Sequence, residues 1–353
     1  MVRFSFVSSM KPRSTPQVPI MTCHSYRVGF VLAAKLCFIV IAGFLVALQE
    51  AKAEEHITVL TNWYAQAEHG GIYQAEASGG YQREGLAVTI KQGGPQLNGM
   101  QLLLAGEADI VLGYDLQVLK SLENKVPVVA VAASFQSDLV GIMAREDVHS
   151  LADLKGKTIL VATPGRATWW PWLKKKYDLS DDQVKPYTFN LQPFVADGNT
   201  VQQAYPSSEP FQAAKSGVPV RFLPLKQEGY PPYGLVFVVT RDTLLHRPEV
   251  IKRFLKATFE GWRAYLVDPS LAQAAIHDAN PAMTEEQLAY GYTQLKSMGV
   301  IDSGDAKTLG LGIITDARFK ATYDFLTGEG LLKPEVDYHD AFDDRLIKDL
   351  HIQ

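Results

Sequence analysis

Ten residues have the types and positions to hold a small molecule without transforming it. Trp63 follows a short alternating run, His56–Thr61, where a strand ends and an aromatic ring can project into a cleft. Stacking on a flat heterocycle would add about 0.5–1.5 kcal/mol beyond area burial; the alternative is packing against the next helix. Asn62 beside it offers one amide bond or caps the loop. His69, just before Gly70-Gly71, can donate to a ligand oxygen or satisfy local backbone. As a metal ligand it lacks partners at useful spacing. Trp169 and Trp170 are adjacent at a helix start, so they cannot face one way; one is expected in a cleft and one packed. Gly165 and Thr168 offer backbone and hydroxyl donors near that helix start, suited to an anion or a polar ring edge. Glu209 is the sharpest polar candidate. A carboxylate at a cleft-facing helix start accepts two N–H bonds from one ring edge and repels an anion. Its alternative role is a helix-terminal acid stabilised by the dipole. Tyr205 and Tyr114 follow apolar runs and occupy strand-end positions. No cysteine nucleophile and no metal cluster accompanies these groups, so the set reads as a binding site with no cofactor.

The elements that must position them alternate. His56–Thr61, Leu86–Lys91, Ala108–Leu112 and Val126–Ala133 read as strands, with helical spacing between them. Such alternation predicts βαβ units and a mainly parallel sheet. Leu139–Ala144 reads as one more strand of that unit. A second α/β unit starts with a capped segment at Ser150–Lys157 and the strand Thr158–Ala162. A loop, Thr163–Trp170, then leads into a helix. Val184–Asn190, Thr200–Tyr205 and Val220–Leu223 read as strands, and Leu235–Thr240 as a strand returning to the first unit. From Arg247 onward the pattern is helical. The expectation is an α/β chain of two lobes, residues 54–145 with 236–353 and residues 146–235, a helical C-terminal region, and a ligand cleft between the lobes.

Residues 1–35 carry Arg3, Lys11, Arg13, Arg27 and Lys35 and no acid; Leu36–Leu48 is uncharged and apolar, and Ala51-Lys52-Ala53 offers a cleavage site. This reads as an export signal over residues 1–53, with Met21 an alternative start. The competing reading is an uncleaved anchor over Val28–Leu48, which Lys35 interrupts. Losing six basic residues and one acid with that segment takes the formal charge from −4 to −9. An acidic chain is a poor nucleic-acid partner, because phosphate binding needs a basic surface. Both cysteines, Cys23 and Cys37, lie in the segment, which leaves no disulfide, thiolate metal site or thiol nucleophile after it.

Five pieces in order carry a resemblance: Asn62-Trp63 with His69-Gly70-Gly71-Ile72-Tyr73, then Tyr81-x-x-Glu84-Gly85-Leu86, Leu104-x-Gly106-Glu107-Ala108-Asp109-Ile110, Leu151-x-Asp153-Leu154-Lys155-Gly156-Lys157 and Ser208-Glu209-Pro210. Over Ile57–Leu332 the chain resembles the periplasmic solute-binding proteins of ABC importers, in the branch that binds pyrimidine precursors of thiamine, riboflavin, nitrate, taurine and alkanesulfonates. The resemblance implies a type II-like periplasmic-binding-protein fold, a small-molecule ligand and no enzymatic activity. It also implies a membrane permease with its ATPase as partners and a periplasmic location. The Asn-Trp pair and Glu209 lean toward pyrimidine-precursor binders. The bulky Thr163–Trp170 stretch departs from the small anion loop of sulfonate binders. An anion binder of the same class and a pyrimidine-synthase-like enzyme are the rival expectations; the missing cysteine-rich iron motif weighs against the enzyme.

Overall fold

The computed structural model describes Pro16, Gln17 and Glu54–Gln353, and the last of these stretches forms one compact unit. The expected export signal lies outside the described residues. Within Glu54–Gln353 are two five-stranded sheets. The first has the order β2-β1-β3-β10-β4, with β1 Glu55–Leu60, β2 Leu86–Lys91, β3 Ile110–Gly113, β4 Val128–Phe135 and β10 Gly234–Thr240. The second has the order β7-β6-β8-β5-β9, with β5 Gly141–Arg145, β6 Thr158–Val161, β7 Val184–Pro186, β8 Thr200–Ala204 and β9 Val220–Pro224.

Both sheets are mixed, which corrects the expectation of a mainly parallel one. β1 runs parallel to β2 and β3, but β10 is antiparallel to β3 and β4. β6 runs parallel to β7 and β8, while β5 is antiparallel to β8 and β9. Each sheet thus receives one strand from the other half of the chain, inserted against the local direction. β5 also corrects the expected lobe boundary: Gly141–Arg145 pairs in the second sheet, not the first. Its apolar run is buried on both faces, so periodicity could not say which sheet it enters.

The chain crosses between sheets twice, over residues 136–140 and 225–233, and the two crossings lie side by side. The Asp138 N–H donates to the Pro232 carbonyl at 3.1 Å. Gly234 is required here, because a Cβ would stand 2.9 Å from the Ser137 carbonyl oxygen. Leu235 follows with φ of +55°, a left-handed conformation that costs a non-glycine residue energy and is held by complete burial. Buried Asp115 ties the crossing down, accepting from the Tyr233 N–H at 3.2 Å and the Thr322 hydroxyl at 2.7 Å.

The helix Pro248–Val267 covers the first sheet with an apolar stripe that includes Ile251, Phe254, Leu255, Phe259 and Trp262, at i, i+3, i+4 spacing. It packs against the helix Gly70–Ala77 at glycines. A Cβ on Gly261 would overlap the Gly71 carbonyl oxygen, and one on Gly71 would overlap the Trp262 ring. The helices Ser270–Ala279, Glu285–Met298 and Asp316–Gly328 complete the C-terminal region. No helix among the described residues is long and apolar enough to cross a membrane.

Candidate functional site

The carboxyl ends of β1, β3, β6 and β8 face one another across the space between the sheets, where an α/β protein collects ligand-facing groups. A cleft lies there, lined from the first lobe by Asn62, Trp63, Gln66 and Tyr114. The second lobe supplies Gly165, Thr168, Trp169, Gln203, Tyr205 and Glu209, and the first crossing supplies Asp138. Eight of the ten sequence candidates are thus brought to one wall or another.

Glu209 opens the helix Glu209–Lys215 and is only 5 % exposed. Its Oε1 accepts from the Tyr187 hydroxyl at 2.8 Å and its Oε2 from the Tyr205 N–H at 2.9 Å. Burial pushes the carboxyl up to about 7, against the pull of those two hydrogen bonds. Asp138 is also driven up to about 7 by burial, with the Val140 N–H opposing. Two carboxyls that titrate near neutrality therefore share one cleft.

A hydrogen-bond chain links the lobes through the middle. His69 Nε2 lies 2.9 Å from Asn62 Oδ1, and Asn62 Nδ2 donates to the Tyr114 hydroxyl at 3.3 Å. The Tyr114 and Tyr205 hydroxyls are 3.3 Å apart, and the Tyr205 hydroxyl donates to Asp138 Oδ1 at 3.3 Å. With the Asn62 oxygen toward it, His69 carries its proton on Nε2. Burial holds its conjugate-acid pKa down to about 3, so the ring is neutral.

Trp63 is sequestered by its own protein on one side. It stacks on Tyr187 of the second lobe at 6.0 Å and 22°, and meets the edge of Phe189 at 5.9 Å. The structure brings Trp169 to the cleft and turns Trp170 away: Trp170 Nε1 donates to Asp181 Oδ1 at 2.8 Å. His69 likewise does not line the cleft; it sits beneath Asn62 and orients it.

One of the expected donors after β6 needs correction. The stretch from Thr163 is not a loop but a short helix, Thr163–Ala167, and the groups on either side of Gly165 are already used. The Ala162 N–H donates to Gln203 Oε1 at 2.7 Å, the Thr163 N–H to the Pro95 carbonyl at 2.8 Å, and Pro164 has none. The Thr168 hydroxyl donates back to the Pro164 carbonyl at 2.9 Å. Gly165 is there because a Cβ would crowd Trp169 Nε1 at 2.8 Å.

Sequence reasoning missed Gln66, Asp138, Gln203 and Tyr187. Tyr187 directly follows β7, and the strand-end rule would have found it had that strand not been read through to Asn190. Asp138 lies two residues beyond Phe135-Gln136, a strand-end pair that the structure shows packed. Phe135 meets Trp262, and Gln136 donates to the Ile313 carbonyl at 3.0 Å. Gln66 is buried on the cleft with its amide oxygen unpartnered among the described residues. None of the lining residues is Lys, Arg or His. Among the described residues, no group of three or more His, Cys, Asp or Glu is placed to hold a metal ion.

A family described as NMT1/THI5 like matches residues 66–272. The chain is 26 % identical over 231 residues to the formylaminopyrimidine-binding protein of Halalkalibacterium halodurans, covering 63 % of this chain and 69 % of that protein. Over a shorter stretch, 30 % of this chain and 32 % of the other, it is 25 % identical to the 4-amino-5-hydroxymethyl-2-methylpyrimidine phosphate synthase of Aspergillus parasiticus. Among solved structures, the periplasmic aliphatic sulphonate binding protein SsuA of Escherichia coli superposes with a TM-score of 0.58 at 12 % identity, covering 81 % of this chain and 91 % of that one. The two-sheet architecture is the periplasmic-binding-protein fold.

Proposed function

The chain belongs to the NMT1/THI5-like family, and from that premise we propose that it captures a small nitrogen heterocycle of the aminopyrimidine class and delivers it to a membrane permease. At the coarser level it is a solute-binding protein of the ABC-importer type. The observation that carries the finer reading is the polarity of the cleft. Glu209, Asp138 and the free Gln66 oxygen are acceptors set among Trp63, Tyr114, Trp169 and Tyr205, with no basic side chain on the wall. Such a wall suits a flat ring rich in N–H donors and repels sulfonate or nitrate. The binding proteins among the relatives support capture rather than catalysis, and the basic-apolar N-terminus supports export to the periplasm.

Each part has a task. The aromatic side chains cover the ring faces and exclude water, which strengthens every hydrogen bond inside. Glu209 and Asp138 receive ring-edge or exocyclic N–H groups, and charge-assisted bonds of this type are the stronger ones. Ligand contacts from both lobes favour the closed arrangement, so binding energy is converted into closure, which a permease can read.

The test is thermal unfolding of Glu54–Gln353 against aminopyrimidine thiamine precursors, riboflavin, taurine, alkanesulfonates and nitrate. A ligand at one hundred times its Kd adds about 2.7 kcal/mol. Stabilisation by the aminopyrimidines, lost in Glu209→Gln, is the expected result. Stabilisation by the anions alone would overturn the heterocycle reading.

A further inference from the structure

Three residues of the cleft, Asn62, Tyr114 and Pro164, have a second side. They also line a neighbouring chamber. It too forms between the lobes, with Leu97–Met100 and Val111–Tyr114 on one side and Thr163, Pro164 and Ala167 on the other. Its chemistry differs from that of the first chamber. Leu60, Leu97, Met100 and Val111 give it apolar walls, and Asn98 and Thr163 give it neutral polar ones. No Asp, Glu, Lys, Arg or His lines it. Gln117 adds a donor: its Oε1 is occupied by the Tyr114 N–H at 3.2 Å, while its Nε2 has no acceptor among the described residues.

We propose that this chamber is a subsite for an uncharged substituent carried by the ring, entering between the Asn62–Tyr114 pair and Pro164. The inference rests on the heterocycle reading above and narrows it: the preferred ligand is a ring with a neutral arm several atoms long, not the bare ring. The ring's N–H edge is held by the acidic chamber, and its arm by a chamber that rejects charge. An ionised arm would lose its water there without gaining a partner. The chamber can also be closed from one position. A Cβ on Gly99 would find only Leu60 Cδ2 at 3.8 Å and Val111 Cβ at 3.9 Å, ordinary contact distances. Gly99 is the first residue of the helix Gly99–Leu104, where a larger side chain is compatible with the backbone.

The experiment is calorimetric titration of the full chain with N-acyl derivatives of 4-amino-5-aminomethyl-2-methylpyrimidine, bearing formyl, butanoyl or succinyl groups. Against the unaltered protein, butanoyl is expected to bind about tenfold more tightly than formyl, as partly buried methylenes would give. Succinyl, with its terminal carboxylate, is expected to fall below formyl. In Gly99→Leu the butanoyl advantage disappears and formyl binding changes less than twofold. Equal binding of formyl and butanoyl, or an advantage that survives Gly99→Leu, overturns the subsite and leaves the ring reading intact. Failure of all three to bind, in protein that still unfolds cooperatively, overturns the ring reading and the subsite together.

Discussion

Glu209 and Asp138 make the cleft responsive to pH, and the sign follows from where their protons sit. Folding raises both carboxyls to about 7, and Asp115 to about 6, all through burial. The unfolded chain releases those protons near pH 4. Between these limits the folded protein holds more protons, so the ligand-free protein loses stability as pH rises from about 4 toward about 7 and levels off above. His69 acts in the opposite sense: held neutral down to about 3, it adds stability as pH rises toward 6.5. Against the one imidazole, these three carboxyls contribute about 3–4 kcal/mol each, and buried Glu68, also raised by burial, acts in the same sense, so the net is a decline. Calorimetric melts from pH 5 to 8 should show a falling Tm, with a shallower slope in the Glu209→Gln, Asp138→Asn double variant. At pH 8, Glu209→Gln alone should weaken aminopyrimidine binding by at least tenfold, because an ionised acceptor becomes a neutral one. Gln66→Leu should weaken it less, by about 1 kcal/mol, the cost of one neutral hydrogen bond; an unchanged affinity would remove Gln66 from the site.

At the scale of elements, the loop holding Asn62 and Trp63 depends on the helix Gly70–Ala77 beneath it, and that helix depends on its glycine contact with Pro248–Val267. Gly261→Ala forces two backbones apart and should destabilise the protein by about 1–3 kcal/mol, as overpacking does. The measurement is a urea titration, read as a lower midpoint at constant slope. Because the displaced helix follows His69, the same substitution should also weaken ligand binding, although it touches no ligand. The crossing is braced differently. Asp115 accepts from Tyr233, Thr322 and the Leu116 N–H, and Asp115→Ala would strand all three donors. That should cost about 3 kcal/mol or more.

For the whole molecule, closure is held by seams on both flanks of the cleft. One joins Trp63 to Tyr187 and Gln96 Nε2 to the Tyr187 carbonyl at 2.9 Å. The other joins buried Glu68 to the Ser207 hydroxyl, the Tyr290 hydroxyl to the Pro206 carbonyl at 3.0 Å, and the Phe211 ring to Tyr290 at 5.2 Å. The second seam lies outside the cleft, so it can be weakened without touching the ligand. Phe211→Ala should shift the population toward open molecules and raise the apparent Kd about threefold to tenfold, the worth of one aromatic pair. Small-angle scattering should show a larger ligand-induced contraction in that variant than in the parent. An unaltered Kd with unaltered scattering would mean that this seam does not control closure.

The amino-acid sequence by itself determined the alternation of strands and helices, the helical C-terminal region and the strand-end position of most cleft residues. Those depend on short-range periodicity and on the rule that parallel strands present ligands at their carboxyl ends. Asn62, Tyr114, Tyr205 and Glu209 were legible because each ends a strand or starts a helix, whatever the partner strand. What the tertiary structure alone decided was pairing over long separations. β5 enters the second sheet, and both it and β10 run antiparallel to their neighbours, because buried strands read alike whichever sheet and direction receive them. Trp169 and Trp170 were indistinguishable until Asp181 claimed one indole. Tyr187 reached Trp63, and Asp138 reached Tyr205, only when two lobes closed on each other. Contacts between lobes leave no local pattern in a chain, since neither partner's neighbours in sequence are its neighbours in space.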